Sequence, residues 1–242
     1  LGSGAGVAAI YYFNERGVPY SKGTGLYTIE YMLHKVSIAL FAGIFFILNW
    51  GYMQKYYSQY DMTLLIGFGV TFVIAAVLLL FACSKKFHEV LLWIVRKLNR
   101  SGKLTEQVKK LEEQCAILED AAATLLKRGG LIAGCILKNL LKFTLWYGIP
   151  FLILAETGKL TLSQGLAVTS LAMMLAAVIP APAGIGSSEF VLTMLLAKIV
   201  GTGAAGSVAL LYRFATFVLP FVIGAVVVVL WRRVHRSTEK AA

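Results

Sequence analysis

The sequence predicts an all-α, polytopic helical integral membrane protein. About six membrane segments are expected, with a broken or re-entrant helix near residues 180–200 and a cytoplasmic amphipathic helical hairpin. Three observations lead there. Hydrophobic residues make up 58% of the 242 and charged residues only 14%, where a soluble domain carries about 25%. Several stretches approach or exceed the ~20 apolar residues that a helix needs to cross a bilayer. No stretch alternates with a period of two over ten residues, which argues against a β-barrel.

Taken in order, residues 1–17 are small and apolar and end in the polar turn NERG. They predict a short helix or the tail of a longer segment, and the abrupt start with no initiator Met predicts further residues upstream. A first clear span covers 24–50, most apolar from Val36 to Leu48. The loop GYMQKYYSQYD follows, its tyrosines suited to a membrane interface. A second span, 63–83, is the cleanest in the chain.

Residues 84–128 differ sharply, with ten Lys/Arg and six Asp/Glu. They read as two amphipathic helices split by NRSG at 99–102. Leu91, Ile94, Val95 and Leu98 share a face of the first. In the second, Leu104, Val108, Leu111, Cys115, Leu118, Ala122 and Leu125 recur in steps of four and three. That pattern suits a hairpin folded on itself or lying on the membrane, or else a coiled coil that binds a separate cytoplasmic partner.

A third span covers 131–154 with Pro150 near its end, and a fourth covers 161–179. The fourth runs into AAVIPAPAGIGSSEF, residues 176–190. A shorter apolar helix, 187–200, leads through GTGAAG to a final span, 207–231, ending in WRRVHR. The chain is thus expected to be one membrane domain, 1–242, with 84–128 as its cytoplasmic insert. By the positive-inside rule that insert and the tail (Arg232, Arg233, Arg236, Lys240) face the cytoplasm, while 51–62 and 155–160 face outward. Parity closes only if 187–200 crosses the membrane or pairs with another partial crossing. Fourteen residues reach ~21 Å against a core of ~30 Å, so something there is thin, broken or re-entrant.

Several functions are disfavoured. The net charge of +11 clusters beside membrane segments, so orientation and anionic lipid explain it better than nucleic acid does. Cys83, Cys115 and Cys135 form no CxxC and read as buried thiols. GTGAAG (201–206) matches GxGxxG in form only, since a membrane helix precedes it, and it reads as a loop. His34, His88 and His235 lack metal spacing, and Ser187 and Ser188 lack a catalytic setting. No cofactor is expected.

Charges inside apolar segments carry more weight, because each costs roughly 2.5–3.5 kcal/mol at a helix centre. Glu30 and His34 lie four apart, as do Lys138 and Lys142 with Asn139 between them. The lysines either snorkel to the cytoplasmic interface or recruit anionic lipid there. Arg213 sits seven residues before Pro220 and needs a carboxylate, carbonyl or lipid phosphate as partner. Pro180 and Pro182 forbid helix continuation, and Gly184 and Gly186 permit unusual backbone angles. Such breaks are tolerated at membrane depth only under cover of protein or water, and transporters use them to place helix ends at a substrate. Ser187 or Ser188 is placed to N-cap the next helix. Glu189 is either a residue of its first turn or the partner of Arg213 or of a substrate cation.

PAPAGIGSSEF, a short helix and ALLYRFATFVLPFVIG together resemble the C-terminal signature of the lysyl-phosphatidylglycerol synthase/flippase transmembrane family, which includes the bacterial multiple peptide resistance factors. Pro182, Gly184, Gly186, Glu189, Tyr212, Arg213, Leu219, Pro220 and Gly224 match its pattern. Arg16, Gly17 and Glu30 match a looser N-terminal part, although Ala5, Val7, Ala8 and Ala9 stand where the family usually has a polar or basic residue. The resemblance implies lipid handling in a bacterial inner membrane, with the C-terminus cytoplasmic. Its best-known members lysylate phosphatidylglycerol with a soluble domain and move the product between leaflets with the membrane domain. This chain ends just after its last span, so it is expected to be no enzyme by itself. The expected function is a translocase binding a phospholipid or polyprenyl-linked headgroup through Glu189, Arg213, Gly184, Gly186, Ser187, Glu30, Lys138 and Lys142. The alternatives are the membrane part of a phosphatidylglycerol lysyltransferase that needs a separate catalytic domain, and a membrane scaffold. Expected partners are anionic or aminoacylated phospholipids, with a homo-oligomer left open.

Overall fold

A computed structural model describes residues 5–58, 84–99, 105–126, 128–179, 181 and 184–228, plus positions 66, 67, 69, 70, 72, 73, 76, 77 and 80. Ten α-helices carry the described fold: α1 (Ala5–Glu15), α2 (Tyr20–Leu48), α3 (Trp50–Tyr57), α4 (Lys85–Leu98), α5 (Thr105–Leu126), α6 (Gly129–Tyr147), α7 (Ile149–Leu154), α8 (Leu162–Ala176), α9 (Ser187–Val200) and α10 (Thr202–Arg213). A 3₁₀ turn, Ala155–Thr157, ends α7, and α10 continues through a π-helical turn, Phe214–Val218, to residue 228. Most of the expected second span and the two prolines Pro180 and Pro182 lie outside the described residues.

Three helices among the described residues are long and apolar enough to cross a membrane: Lys22–Leu48, Gly129–Thr157 and Thr202–Val228. Pro19 starts α2, because a proline cannot continue a helix backwards. Inside it, Thr24, Thr28 and Ser37 donate their hydroxyls to carbonyls one turn back at 2.7–2.8 Å, so these three hydroxyls are satisfied within the helix. At its end the Asn49 amide donates to Phe45 O at 2.9 Å and to Ser163 Oγ at 2.8 Å, which ties α2 to the start of α8.

Helix α2 packs against α1, α5, α6 and α8. The core gathers Phe41 from α2, Phe143 and Tyr147 from α6, Leu171 and Met174 from α8, Leu192, Leu195 and Leu196 from α9, and Tyr212 from α10. Small residues let these helices approach closely. A Cβ on Gly165 of α8 would meet Phe151 Cβ at 2.8 Å.

Helix α8 has 15 residues and α9 has 14, so they reach about 22 and 21 Å, each short of a ~30 Å core. They pack on each other, and the described residues between them, 177–179, 181 and 184–186, are not α-helical. The start of α8 is fixed by a capping box in which Gln164 N donates to Thr161 Oγ1 at 3.3 Å and Thr161 N to Gln164 Oε1 at 2.9 Å.

Three local expectations change. GTGAAG is not a loop: Gly201 alone turns the chain at φ +85°, and residues 202–206 already belong to α10. The stretch after α2 is not a free loop either. It forms α3, which buries Met53 and Tyr57, because the Tyr57 hydroxyl finds a partner in Leu195 O at 3.0 Å. In the 84–128 insert, α4 does fold back on α5, with Arg96 paired to Glu112 at 2.6 Å. Ile94, however, is exposed at 42%, away from the half-buried Leu91 and Val95.

Candidate functional site

The turn at Gly201 makes α9 and α10 a helical hairpin, the most extensive helix pairing among the described residues. Glu189 stands twelve residues before Gly201 and Arg213 twelve after it. Equal distances from one turn bring the two side chains level, about 18 Å along the hairpin. There Arg213 Nε lies 3.3 Å from Glu189 Oε1, with the side chains 18% and 21% exposed.

The segment before α9 holds the carboxylate. Gly184 at φ +67° and Gly186 at φ +83° adopt a left-handed backbone that other residues rarely reach. Gly186 N then donates to Glu189 Oε2 at 3.0 Å, and Ser188 Oγ donates to the same oxygen at 2.7 Å. Ser187 Oγ lies 3.2 Å from Gly184 O. The expected serine cap is therefore replaced. Gly186 occupies the cap position, and Glu189 accepts its N–H from the third position of the helix. Being in the first turn and bonding to an arginine are compatible, because each carboxylate oxygen has its own partner.

The guanidinium is held from below. Its Cζ lies 4.2 Å from the Phe217 ring centroid. Phe217 stands four residues after Arg213, within the π-helical turn in which Leu219 N donates to Phe214 O, one residue further back than in an α-helix. Pro220 follows and donates nothing, and Thr216 Oγ1 bonds Tyr212 O at 2.8 Å. An open groove of about 560 Å³ runs beside the pair along α9 and α10. Glu189 lies at one end, Lys198 and Thr202 near the turn, and Phe190, Met194 and Leu210 form apolar walls.

A second polar cluster joins α2 to α6. Lys142 Nζ lies 3.2 Å from His34 Nδ1, with Asn139 three residues before Lys142 on α6 and Glu30 one turn before His34 on α2. The ammonium also faces the Phe143 and Trp146 rings at 5.1 and 5.7 Å. His34 stands fifteen residues before Asn49, about 22 Å along α2. Lys142 thus turns inward to an imidazole, whereas Lys138 is exposed. The structure separates the expected residues into Glu189, Arg213, Gly184, Gly186 and Ser187 on one side and Glu30 and Lys142 on the other.

Buried aromatics connect the two clusters. Phe143 contacts His34 at 5.1 Å and stacks on Tyr147 at 5.3 Å, and Tyr212, the neighbour of Arg213, belongs to the same buried core. Sequence reasoning missed Ser188 as a donor to Glu189, and it missed Phe217. The latter was findable, because Arg213 and Phe217 stand four apart on one helix face.

A protein-family model described as "Lysylphosphatidylglycerol synthase TM region" matches residues 1–224, a stretch that contains both clusters. No curated protein and no solved structure matches the chain.

Proposed function

This chain belongs to the lysylphosphatidylglycerol synthase transmembrane family, and on that premise we propose that it is a lipid translocase of the bacterial inner membrane. The observation that carries the proposal is the Glu189–Arg213 pair, set about 18 Å along a hairpin beside a broken backbone. An arginine and a carboxylate at that depth form a dipole. A headgroup with a phosphate and an ammonium can replace it, with phosphate on Arg213 and ammonium on Glu189. Guanidinium suits phosphate because it binds two oxygens at once. Glu189 keeps its geometry through Gly186 and Ser188 while Arg213 changes partner. Lys142 and Glu30 supply a second polar station across the aromatic layer, and exposed Lys138 recruits anionic lipid.

In the topology that fits this reading, α8 enters from the outer face and α9 returns to it. The pair is then re-entrant, and Thr202–Val228 carries the chain to a cytoplasmic C-terminus. Helices of about 22 and 21 Å suit such a pair, and parity closes without a full crossing at 187–200.

Proteoliposomes carrying lipid labelled in one leaflet test the function. The protein should speed exchange of a phospholipid bearing phosphate and amine, and Arg213→Ala should abolish that gain while keeping the helical circular-dichroism signal. Exchange equal to protein-free vesicles would sink the proposal. The family description also favours a second reading, the membrane part of a phosphatidylglycerol lysyltransferase. Lysyl-phosphatidylglycerol formed from charged tRNA when this chain is combined with a separate catalytic domain, with no gain in leaflet exchange, would decide for that reading.

A further inference from the structure

Helix α4 has two apolar faces, and the bundle uses one of them. His88 is buried, Phe87, Leu91, Leu92 and Val95 are half-buried, and the helix packs on α5. The opposite side carries Val90 at 56%, Trp93 at 60% and Ile94 at 42% exposure. At 100° per residue these three fall within one 100° sector, and Lys86 and Lys97 fall in that sector at its two ends. Lys97 Nζ lies over the Trp93 ring at 4.7 Å, so the lysine stem and the indole form one surface.

We infer that this outer face of α4 is a docking surface for an anionic bilayer leaflet. Three features select that occupant. The helix begins at its Ser84 cap, directly after the apolar stretch 63–83, so it starts at headgroup level. Trp with flanking lysines is the side-chain set that spans an acyl–headgroup boundary, the ring in the apolar layer and the ammonium in the phosphates. Four basic residues against Glu89 alone make α4 repel a second copy of itself and attract anionic lipid. Held on one side by the leaflet and on the other by α5, which packs on α2, the helix connects surface charge to the hub of the bundle.

The test uses the full chain with Trp93 as its only tryptophan (Trp50, Trp146 and Trp231 changed to Phe). The protein is reconstituted in vesicles of phosphatidylcholine, with or without phosphatidylglycerol. Lipids brominated high on the acyl chain should quench Trp93 strongly when phosphatidylglycerol is present, and aqueous acrylamide should not. Each lysine lost should weaken docking about fivefold, so Lys86→Gln with Lys97→Gln should weaken it about 30-fold and free Trp93 to acrylamide. Trp93 open to acrylamide in phosphatidylglycerol vesicles would overturn the inference. Equal lipid quenching in pure phosphatidylcholine would overturn its anionic selectivity. Protection from both quenchers, dependent on protein density, would assign the face to a second copy instead.

Discussion

Removing the charges at 189 and 213 one at a time and then together tests whether they act as a unit. Unit charges about 4 Å apart attract by ~4 kcal/mol at an effective dielectric near 20, and loss of hydration offsets much of that. Each side chain keeps about a fifth of its exposure, 18% and 21%. The pair therefore lies between exposed pairs, worth about 0–1 kcal/mol, and buried pairs whose breaking costs about 3–5. A coupling of about 2 kcal/mol follows, or roughly a 30-fold change in the unfolding equilibrium. The singles are unequal. Arg213→Met leaves a carboxylate still held by Gly186 N and Ser188 Oγ, whereas Glu189→Gln leaves a guanidinium over Phe217. Glu189→Gln is thus the more damaging, and the double variant recovers most of the sum. Reversible unfolding of all four proteins in mixed micelles measures the cycle. Additivity within about 0.5 kcal/mol would show the two residues to be independent and would remove the basis for a joint headgroup site.

Four further substitutions probe the frame of the bundle. Gly186→Ala has open space around its Cβ but must hold φ +83°, so it should lose about 1–3 kcal/mol from backbone strain alone. Gly134→Ala, in the middle of α6 with nothing near its Cβ, should instead gain about 0.5–1 kcal/mol, and equal thermal midpoints would contradict the strain argument. Tyr57→Phe removes the hydroxyl that donates to Leu195 O and should cost about 1 kcal/mol, lowering the midpoint by about 2–4 °C. An unchanged midpoint there would mean that α3 is not anchored to α9. Gly165→Ala drives a Cβ to 2.8 Å from Phe151 and should cost about 1–3 kcal/mol, unless proteolysis and melting show that α7 moves aside freely.

How far such features could be read from the sequence depended on whether a single chain segment expresses them. Apolar run length is local, so the helices around Lys22–Leu48, Gly129–Thr157 and Thr202–Val228 were legible, with errors of a few residues at their ends. The break before α9 was also legible, because proline and glycine declare their backbone preferences singly. The fate of GTGAAG was not. One glycine at φ +85° turns the chain, and the small residues after it continue as helix because they let α10 lie close on α9. Tyr57 looked like an interface residue because its partner, Leu195 O, is 138 residues away. Ile94 was grouped with Leu91 and Val95 because periodicity detects a stripe without saying what covers it. With α5 in place, Ile94 belongs with Val90 and Trp93 on the uncovered side. The Glu189–Arg213 pair lies between these cases. An arginine inside an apolar segment demands a partner, and the sequence left open whether that was a carboxylate, a carbonyl or a lipid phosphate. The equal spacing of the two residues about Gly201 answers that, but it becomes meaningful only once Gly201 is known to be a turn.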